Sequence, residues 1–157
     1  MKTAYLPWRS AGAALALALC ASATWAQAGG LKGAPAAFTA ECTSCHIGYA
    51  PALAGEASWR GIMAGLDKHF GVDASMDEKA HQTITAWLVA HAAKGSRYAK
   101  PSADFRISTS AWFVRQHDEV GSKVWKRASI KSAANCGACH SGAARGDFDE
   151  DRVKIPQ

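Results

Sequence analysis

Two short segments of this 157-residue chain have the residue types and the spacing of a covalent haem site. Each has the pattern Cys-x-x-Cys-His, with Cys42, Cys45 and His46 in the first and Cys136, Cys139 and His140 in the second. In this pattern the two thiols form thioether bonds to the haem vinyl groups, and the histidine becomes the proximal ligand of the iron. The sequence therefore predicts two haem c groups per chain, with His46 and His140 as proximal ligands.

The same four cysteines are also compatible with a structural zinc site, a redox dithiol or a disulfide. The two cysteine pairs are 94 residues apart, whereas the knuckles of zinc ribbons usually lie much closer together. A thioredoxin-like dithiol requires a βαβ context that the sequence lacks, and a disulfide does not explain the histidine after each pair. The pattern therefore favours haem over these alternatives.

The N-terminus has the features of an export signal. Lys2 and Arg9 form a basic region, and residues 11–20 form an apolar stretch that is too short to span a bilayer. Cleavage is expected after residue 26 or 28, so that residues 1–28 are the signal peptide and Cys20 is lost with it. Because haem c is attached outside the bacterial cytoplasmic membrane, we expect a periplasmic protein.

The composition is that of a small globular protein, with 48% hydrophobic and 20% charged residues. Loss of the signal peptide lowers the formal net charge from +5 to +3, and the haem propionates lower it further. Because the mature protein is then not strongly basic, no nucleic-acid partner is expected. No later apolar stretch reaches about 20 residues, so we expect a soluble protein that does not span a membrane. We also expect a monomer.

Apolar residues recur at helical spacing and no segment has a strand pattern, so we expect an all-α fold. Two small haem-binding lobes, residues 29–95 and 103–157, are predicted on either side of a polar linker, residues 96–102. The expected helices are 36–45, 57–70, one from a Ser75 N-cap to about Ala93, and one capped by Ser108 or Thr109.

An ordered set of residues around the two motifs extends over nearly all of the mature chain. In chain order these are Tyr49, Pro51, Ser58-Trp59, His69-Phe70-Gly71, Arg106-Ile107-Ser108, Trp112-Phe113-Val114-Arg115, His117, Asn135 and Phe148. In these positions the chain resembles the small bacterial dihaem cytochrome c family, often called DHC. It departs from the family at Leu53-Ala54-Gly55, where a bulkier segment is expected, and this difference concerns packing rather than iron ligation.

The resemblance implies a periplasmic electron carrier whose N-terminal lobe is similar to a class I cytochrome c. It implies that each haem iron has two histidine ligands. It also implies redox partners, namely a small oxygen-binding monohaem cytochrome, the sphaeroides haem protein, and a membrane cytochrome as electron donor.

Each haem then needs a second protein ligand. The candidates are the histidines and methionines outside the motifs: His69, His81, His91, His117, Met63 and Met76. We predict His69, at the end of an apolar helical face, and His117, the only such histidine in the C-terminal half. Met63 is the main alternative for the first haem, because Met/His ligation is common in cytochromes c. Which of the two predicted histidines serves which haem stays open.

A haem iron with both axial positions occupied by protein has no open site for a substrate, so its chemistry is the transfer of single electrons. We therefore predict an electron-transfer protein rather than an enzyme. The alternative is a haem enzyme or sensor, such as a dihaem peroxidase, in which one distal ligand leaves the iron. Binding of carbon monoxide to the reduced protein distinguishes the two.

Overall fold

The computed structural model describes residues 31–157, so the predicted signal peptide and Cys20 lie outside it. Its α-helices are α1 (Ala36–Cys42), α2 (Glu56–Ala64), α3 (Glu78–Ala90), α4 (Ala111–Gln116) and α5 (Ser122–Trp125). Short 3-10 helices lie at Pro51–Leu53, Leu66–Lys68, Ser96–Tyr98, Ile107–Thr109, Cys136–Ala138, Ala143–Arg145 and Glu150–Arg152. Over the described range there are two isolated β-bridges and no strand, which confirms the all-α prediction.

Helices α1, α2 and α3 pack around the main hydrophobic core. Phe38 of α1 lies against Trp87 of α3, with ring centroids 4.7 Å apart. Ile84 and Leu88 of α3 are almost completely buried. Burial of such large apolar side chains is the dominant favourable term in folding, so this lobe has a core made by the polypeptide itself.

The second lobe has a much smaller core. Its buried apolar side chains, among the residues that the structure describes, are Phe113, Ile130 and Ala143. Its two α-helices have six and four residues, and the rest is turns and 3-10 helices. Small units of this kind usually need a metal, a disulfide or another staple to be stable. A large apolar cofactor would complete the core of this lobe.

The predicted linker packs against the first lobe. Gly55 lies against its backbone so closely that a Cβ at this position would collide with the carbonyl oxygen of Tyr98. The ring of Tyr98 in turn lies 5.5 Å from that of Trp112. The small segment Leu53-Ala54-Gly55 that departs from the family pattern therefore makes room for the connection between the lobes.

Three helices end earlier than the sequence predicted, and for α3 the end is at Ala90 rather than at about Ala93. α1 ends at Cys42 rather than at Cys45, so the rest of the first motif lies in a turn. α2 ends at Ala64 rather than at Phe70, because Gly65 follows and glycine is unfavourable in a helix. A 3-10 helix then continues the chain to Lys68.

The predicted N-caps are wrong by one to two residues. Asp77, not Ser75, caps α3 and accepts the backbone N–H of Ala80 at 3.0 Å. Ser110, not Ser108 or Thr109, caps α4 and accepts from Phe113, while the Thr109 hydroxyl donates to Asp104. Asp and Ser are equally good caps, so the sequence alone does not choose between neighbouring candidates.

No helix in residues 31–157 is both long and apolar enough to cross a membrane. Each predicted lobe contains one motif and one of the two predicted distal histidines. The similarity of the first lobe to a class I cytochrome c stays a prediction.

Candidate functional site

The structure places the rings of His46 and His69 close together. His46 follows α1, and His69 follows the 3-10 helix Leu66–Lys68, whose Leu66 carbonyl accepts the His69 backbone N–H at 3.3 Å. The two imidazole rings have centroids 6.2 Å apart and planes inclined by 25°. The segment predicted as one helix, residues 57–70, therefore has two parts. Its first part, in α2, packs in the core, and its last part places His69 beside His46.

His117 and His140 form a second pair with the same spacing. His117 directly follows α4 as its C-cap residue, and His140 follows the 3-10 helix Cys136–Ala138. Their ring centroids are also 6.2 Å apart, but their planes are inclined by 78°. Each pair therefore combines a motif histidine with a histidine of the same predicted lobe.

This spacing fits a metal ion between the two rings of a pair. Two metal–imidazole bonds of about 2.0 Å, together with roughly 1.1 Å from each nitrogen to the centre of its ring, separate two ring centroids by about 6.2 Å. Rings packed directly on each other would lie closer, as Phe113 and His117 do at 4.0 Å. Both histidine pairs therefore leave room for a haem iron.

One histidine of each pair has its tautomer fixed by a backbone carbonyl. Nδ1 of His46 donates to the carbonyl of Ile47 at 2.7 Å, and Nδ1 of His117 donates to that of Phe113 at 2.9 Å. Because a carbonyl can only accept, Nδ1 carries a proton, and Nε2 is the nitrogen with which the neutral ring can bind a metal. A hydrogen bond of this kind is the usual support of a metal-bound histidine.

A proline shortly after such a motif can accept a hydrogen bond from the motif histidine, but the Pro51 carbonyl does not accept one from His46. The Pro51 carbonyl accepts the indole N–H of Trp59 at 2.7 Å. It therefore joins the first 3-10 helix to α2, and Pro51 belongs to the core.

The surroundings of the other histidine of each pair disfavour its protonated form, because they lower its pKa. Burial lowers the pKa of His69 below its ordinary value of 6.5, and the charges of His46 and Arg106 lower it further. Burial, followed by the charge of His117, also lowers the pKa of His140, whose Nδ1 is buried without a hydrogen-bond partner. The neutral imidazole is the form that binds a metal.

The motif cysteines are not arranged for thiolate chemistry. Burial and the charge of Glu41 raise the pKa of the Cys42 thiol to about 11. Burial is also the main cause of the raised pKa values of Cys136 and Cys139. A thiol that is reactive without a bound metal has a lowered pKa instead. In residues 31–157 the four cysteines are free, and no group of three or more His, Cys, Asp or Glu side chains is placed to share a metal ion.

The remaining candidate ligands have other contacts. His81 is half-buried, and its Nε2 lies 3.0 Å from the Met63 carbonyl. His91, expected on the buried face of α3, is exposed because α3 ends at Ala90. Met63 is 4% exposed in the core, and Met76 packs against the same core.

Aromatic residues surround the two histidine pairs, and the sequence signalled only some of them. The stacking of Phe113 on His117 follows from their helical spacing. The contact of Phe148 with His140, with centroids 5.4 Å apart, joins residues of the second motif and the C-terminal tail. Neither Tyr49, whose ring centroid lies 5.0 Å from that of His46, nor Arg106 near His69 could be placed from spacing alone.

A family model described as dihaem cytochrome c matches residues 38–148, more than half of the chain. A search of curated proteins found no match. Among solved structures, the chain is similar to the X-ray structure of a dihaem cytochrome type c from Shewanella baltica OS155. The two are 38% identical with a TM-score of 0.67, and the match covers 77% of this chain and 92% of that one.

Two structures from Rhodobacter sphaeroides are also similar. One, described as DHC, is 42% identical with a TM-score of 0.62, and the match covers 73% of this chain and 97% of the Rhodobacter chain. The other, described as dihaem cytochrome c, is 40% identical with a TM-score of 0.63, and the match covers 74% of this chain and 98% of the Rhodobacter chain. Together with the paired motifs, these matches show that the chain belongs to the dihaem cytochrome c family and carries two covalently bound haem c groups.

Proposed function

We propose that this protein carries single electrons between periplasmic redox proteins, through two low-spin haems that each have two histidine ligands. Haem-based electron transfer follows from the family. The observation that supports bis-histidine ligation is the equal separation of the ring centroids, 6.2 Å in both pairs.

The first haem is assigned to the first lobe. Cys42 and Cys45 form its thioether bonds, His46 is its proximal ligand and His69 its distal ligand. The hydrogen bond from His46 Nδ1 to Ile47 orients the ring and strengthens its donation to the iron. This assignment gives Met63 and Met76 no part in ligation, since both lie in or against the core.

The second haem is assigned to the second lobe in the same way. Cys136 and Cys139 form its thioether bonds, His140 is its proximal ligand and His117 its distal ligand. Here it is the distal histidine whose Nδ1 is anchored, by the Phe113 carbonyl one helical turn earlier. Contacts with the Phe113 and Trp125 rings, whose centroids lie 4.0 Å and 5.8 Å from that of His117, limit rotation of this ligand.

This arrangement supports electron transfer rather than catalysis. The haem supplies a one-electron redox centre, and the four histidines fill the axial positions at which a substrate would otherwise bind. His69 and His117, which would hold the two irons, are each restrained by a backbone hydrogen bond and by aromatic contacts. Little rearrangement is then needed when an electron arrives or leaves.

The proposal is tested by replacing each distal ligand. His69→Ala and His117→Ala should each convert one of the two haems to a high-spin form that binds carbon monoxide when reduced, and leave the other haem unchanged. His91→Ala is the matched control, since His91 is exposed and assigned to neither iron. A low-spin spectrum in either ligand variant would contradict that assignment. Carbon monoxide binding by the unaltered protein would instead favour the haem enzyme or sensor.

The proposed location and partners rest on the sequence and on the surface of the second lobe. The export signal supports a periplasmic location. The proposed partners are other redox proteins, with a small oxygen-binding monohaem cytochrome and a membrane cytochrome donor as the candidates. Lys123, Lys126 and Lys131 are exposed just before the second motif, and no ion pair in the described part of the chain includes them. This basic surface fits a partner with an acidic docking face.

A further inference from the structure

A loop of the second lobe reaches the distal side of the first haem site. Phe105 packs on α2 at Gly61, where a Cβ would collide with its ring. The next residue, Arg106, places its guanidinium over the ring of Phe70, with Cζ 4.1 Å from the ring centroid. Phe70 is the neighbour of His69 in the chain and lies beside it in space, with ring centroids 4.7 Å apart.

The loop that carries Arg106 is held in one conformation by its own hydrogen bonds. The Asp104 carboxylate accepts the backbone N–H of Arg106 at 3.1 Å and the Thr109 hydroxyl at 2.6 Å. The Arg106 backbone carbonyl accepts a hydrogen bond from the Ser102 hydroxyl at 2.8 Å. The side-chain Nε of Arg106 lies 3.3 Å from Oδ2 of Asp104. Arg106 is therefore fixed at its backbone and its side chain before it contacts Phe70.

Phe70 has an unusual backbone conformation, in a tight turn that the Val72 backbone N–H closes by donating to the His69 carbonyl at 3.1 Å. Its φ is +50°, in the left-handed region that bulky residues rarely adopt. Such a conformation persists only when its surroundings enforce it, and it is typical of ligand-holding positions. The ring of Phe70 is 42% exposed, so burial alone does not hold it. Within the described residues, the Arg106 guanidinium lies over the ring of Phe70 and the His69 ring lies beside it.

We propose that Arg106 is a positioning residue for His69: by holding Phe70 in this conformation, the second lobe keeps the distal ligand of the first haem in place. The proposal rests on the assignment of His69 to the first iron. It makes ligation in one lobe dependent on a side chain of the other. A cation over an aromatic face at a partly exposed site favours the closed arrangement by roughly 2- to 30-fold.

The experiment measures carbon monoxide binding by the reduced holoprotein. Arg106→Gln should raise the fraction of carbon monoxide-accessible iron by roughly 2- to 30-fold, at one haem only. Arg106→Lys, which keeps a cation over the ring, should restore most of the closed form. Arg60→Gln is the matched control, because Arg60 makes an exposed ion pair with Glu56 but no cation–π contact. Binding equal to that of the unaltered protein in Arg106→Gln would overturn the proposal.

Two further variants separate positioning from loss of folding. Phe70→Leu should have the effect of Arg106→Gln, and the double variant should be no worse than either alone, because both remove the same contact. Gly61→Ala should displace the loop without altering Arg106, and should also open the first haem. Additive effects of the two single variants, or opening of both haems, would overturn the proposal. A failure of the His69 assignment itself is visible separately, as a low-spin spectrum in His69→Ala.

Discussion

The imidazole planes of His117 and His140 are inclined at 78°, whereas those of His46 and His69 are inclined at only 25°. The axial ligands are a principal lever of the protein on a haem iron. Near-perpendicular planes leave two iron d-orbitals almost equal in energy, whereas near-parallel planes split them. The oxidised protein should therefore give two distinct low-spin electron paramagnetic resonance signals, with the larger g-anisotropy from the second haem.

The assignment of these signals is checked with the ligand variants. His117→Ala should remove the more anisotropic signal and leave the other unchanged, and His69→Ala should do the reverse. A single signal of twice the intensity would contradict the different ring orientations.

The loop around Asp104 should contribute to stability in a pH-dependent way. The hydrogen bond from the Thr109 hydroxyl is the main cause that lowers the pKa of Asp104 below its ordinary value of 3.8. Because the folded state has the lower pKa, this contribution is complete above about pH 5 and is lost as the pH falls through the folded value. The free energy of unfolding of the unaltered protein and of Asp104→Asn should therefore differ at about pH 6 and converge towards pH 2.

Thr109→Val tests the cause of that shift. Without the hydroxyl donor, the pKa of Asp104 should move back towards 3.8, as followed by NMR titration of the carboxyl group. An unchanged pKa in this variant would assign the shift to the backbone N–H of Arg106 instead.

The hydroxyl of Tyr49 should stabilise the contact between the lobes. It donates to the backbone carbonyl of Ala134, at 2.8 Å, just before the second motif. Tyr49→Phe should lower the free energy of unfolding by about 0.5–1.5 kcal/mol, the usual net contribution of one hydrogen bond. Tyr98→Phe is the control, since the Tyr98 hydroxyl makes no hydrogen bond within residues 31–157. Denaturant unfolding measures both, and equal stabilities would contradict the prediction.

The basic surface of the second lobe should speed reaction with anionic redox agents. Lys123→Glu combined with Lys126→Glu should slow oxidation by ferricyanide roughly tenfold at low ionic strength. The difference should disappear at high salt, because screening shortens the reach of the charges. Arg127 is left unchanged, since its guanidinium donates to the Pro156 carbonyl at 2.7 Å and secures the C-terminal tail.

The control for this experiment is a double reversal with the same change in net charge elsewhere. Lys79 and Lys94 are exposed lysines of the first lobe, and Lys79→Glu with Lys94→Glu should have a smaller effect. Equal slowing by both double variants would show that only net charge matters, and would remove the evidence for a docking face.

The chemistry of this protein was readable from local sequence. Covalent haem attachment depends on five consecutive residues, so Cys42 to His46 and Cys136 to His140 predicted two haem groups without reference to the fold. Most of the buried face of α3 was also predictable, because Ala80, Ile84, Trp87 and Leu88 recur at helical spacing and are all buried, whereas His91, expected on the same face, is exposed. Cap positions were less certain, since Asp77 and Ser75 are equally suitable and only packing chooses between them.

Tertiary structure decided which residues from other parts of the chain lie beside the two motifs. The histidine that the fold places beside each motif histidine is 23 residues away in the chain, and the pattern alone left open which of the two predicted histidines served which haem. The fold brings His69 to His46 and His117 to His140, and it sets the different inclinations of their rings. It also brings Arg106 of one lobe to Phe70 of the other, a contact between residues with no common periodicity. Such contacts depend on how separate segments pack, and packing is a property of the whole chain rather than of any local pattern.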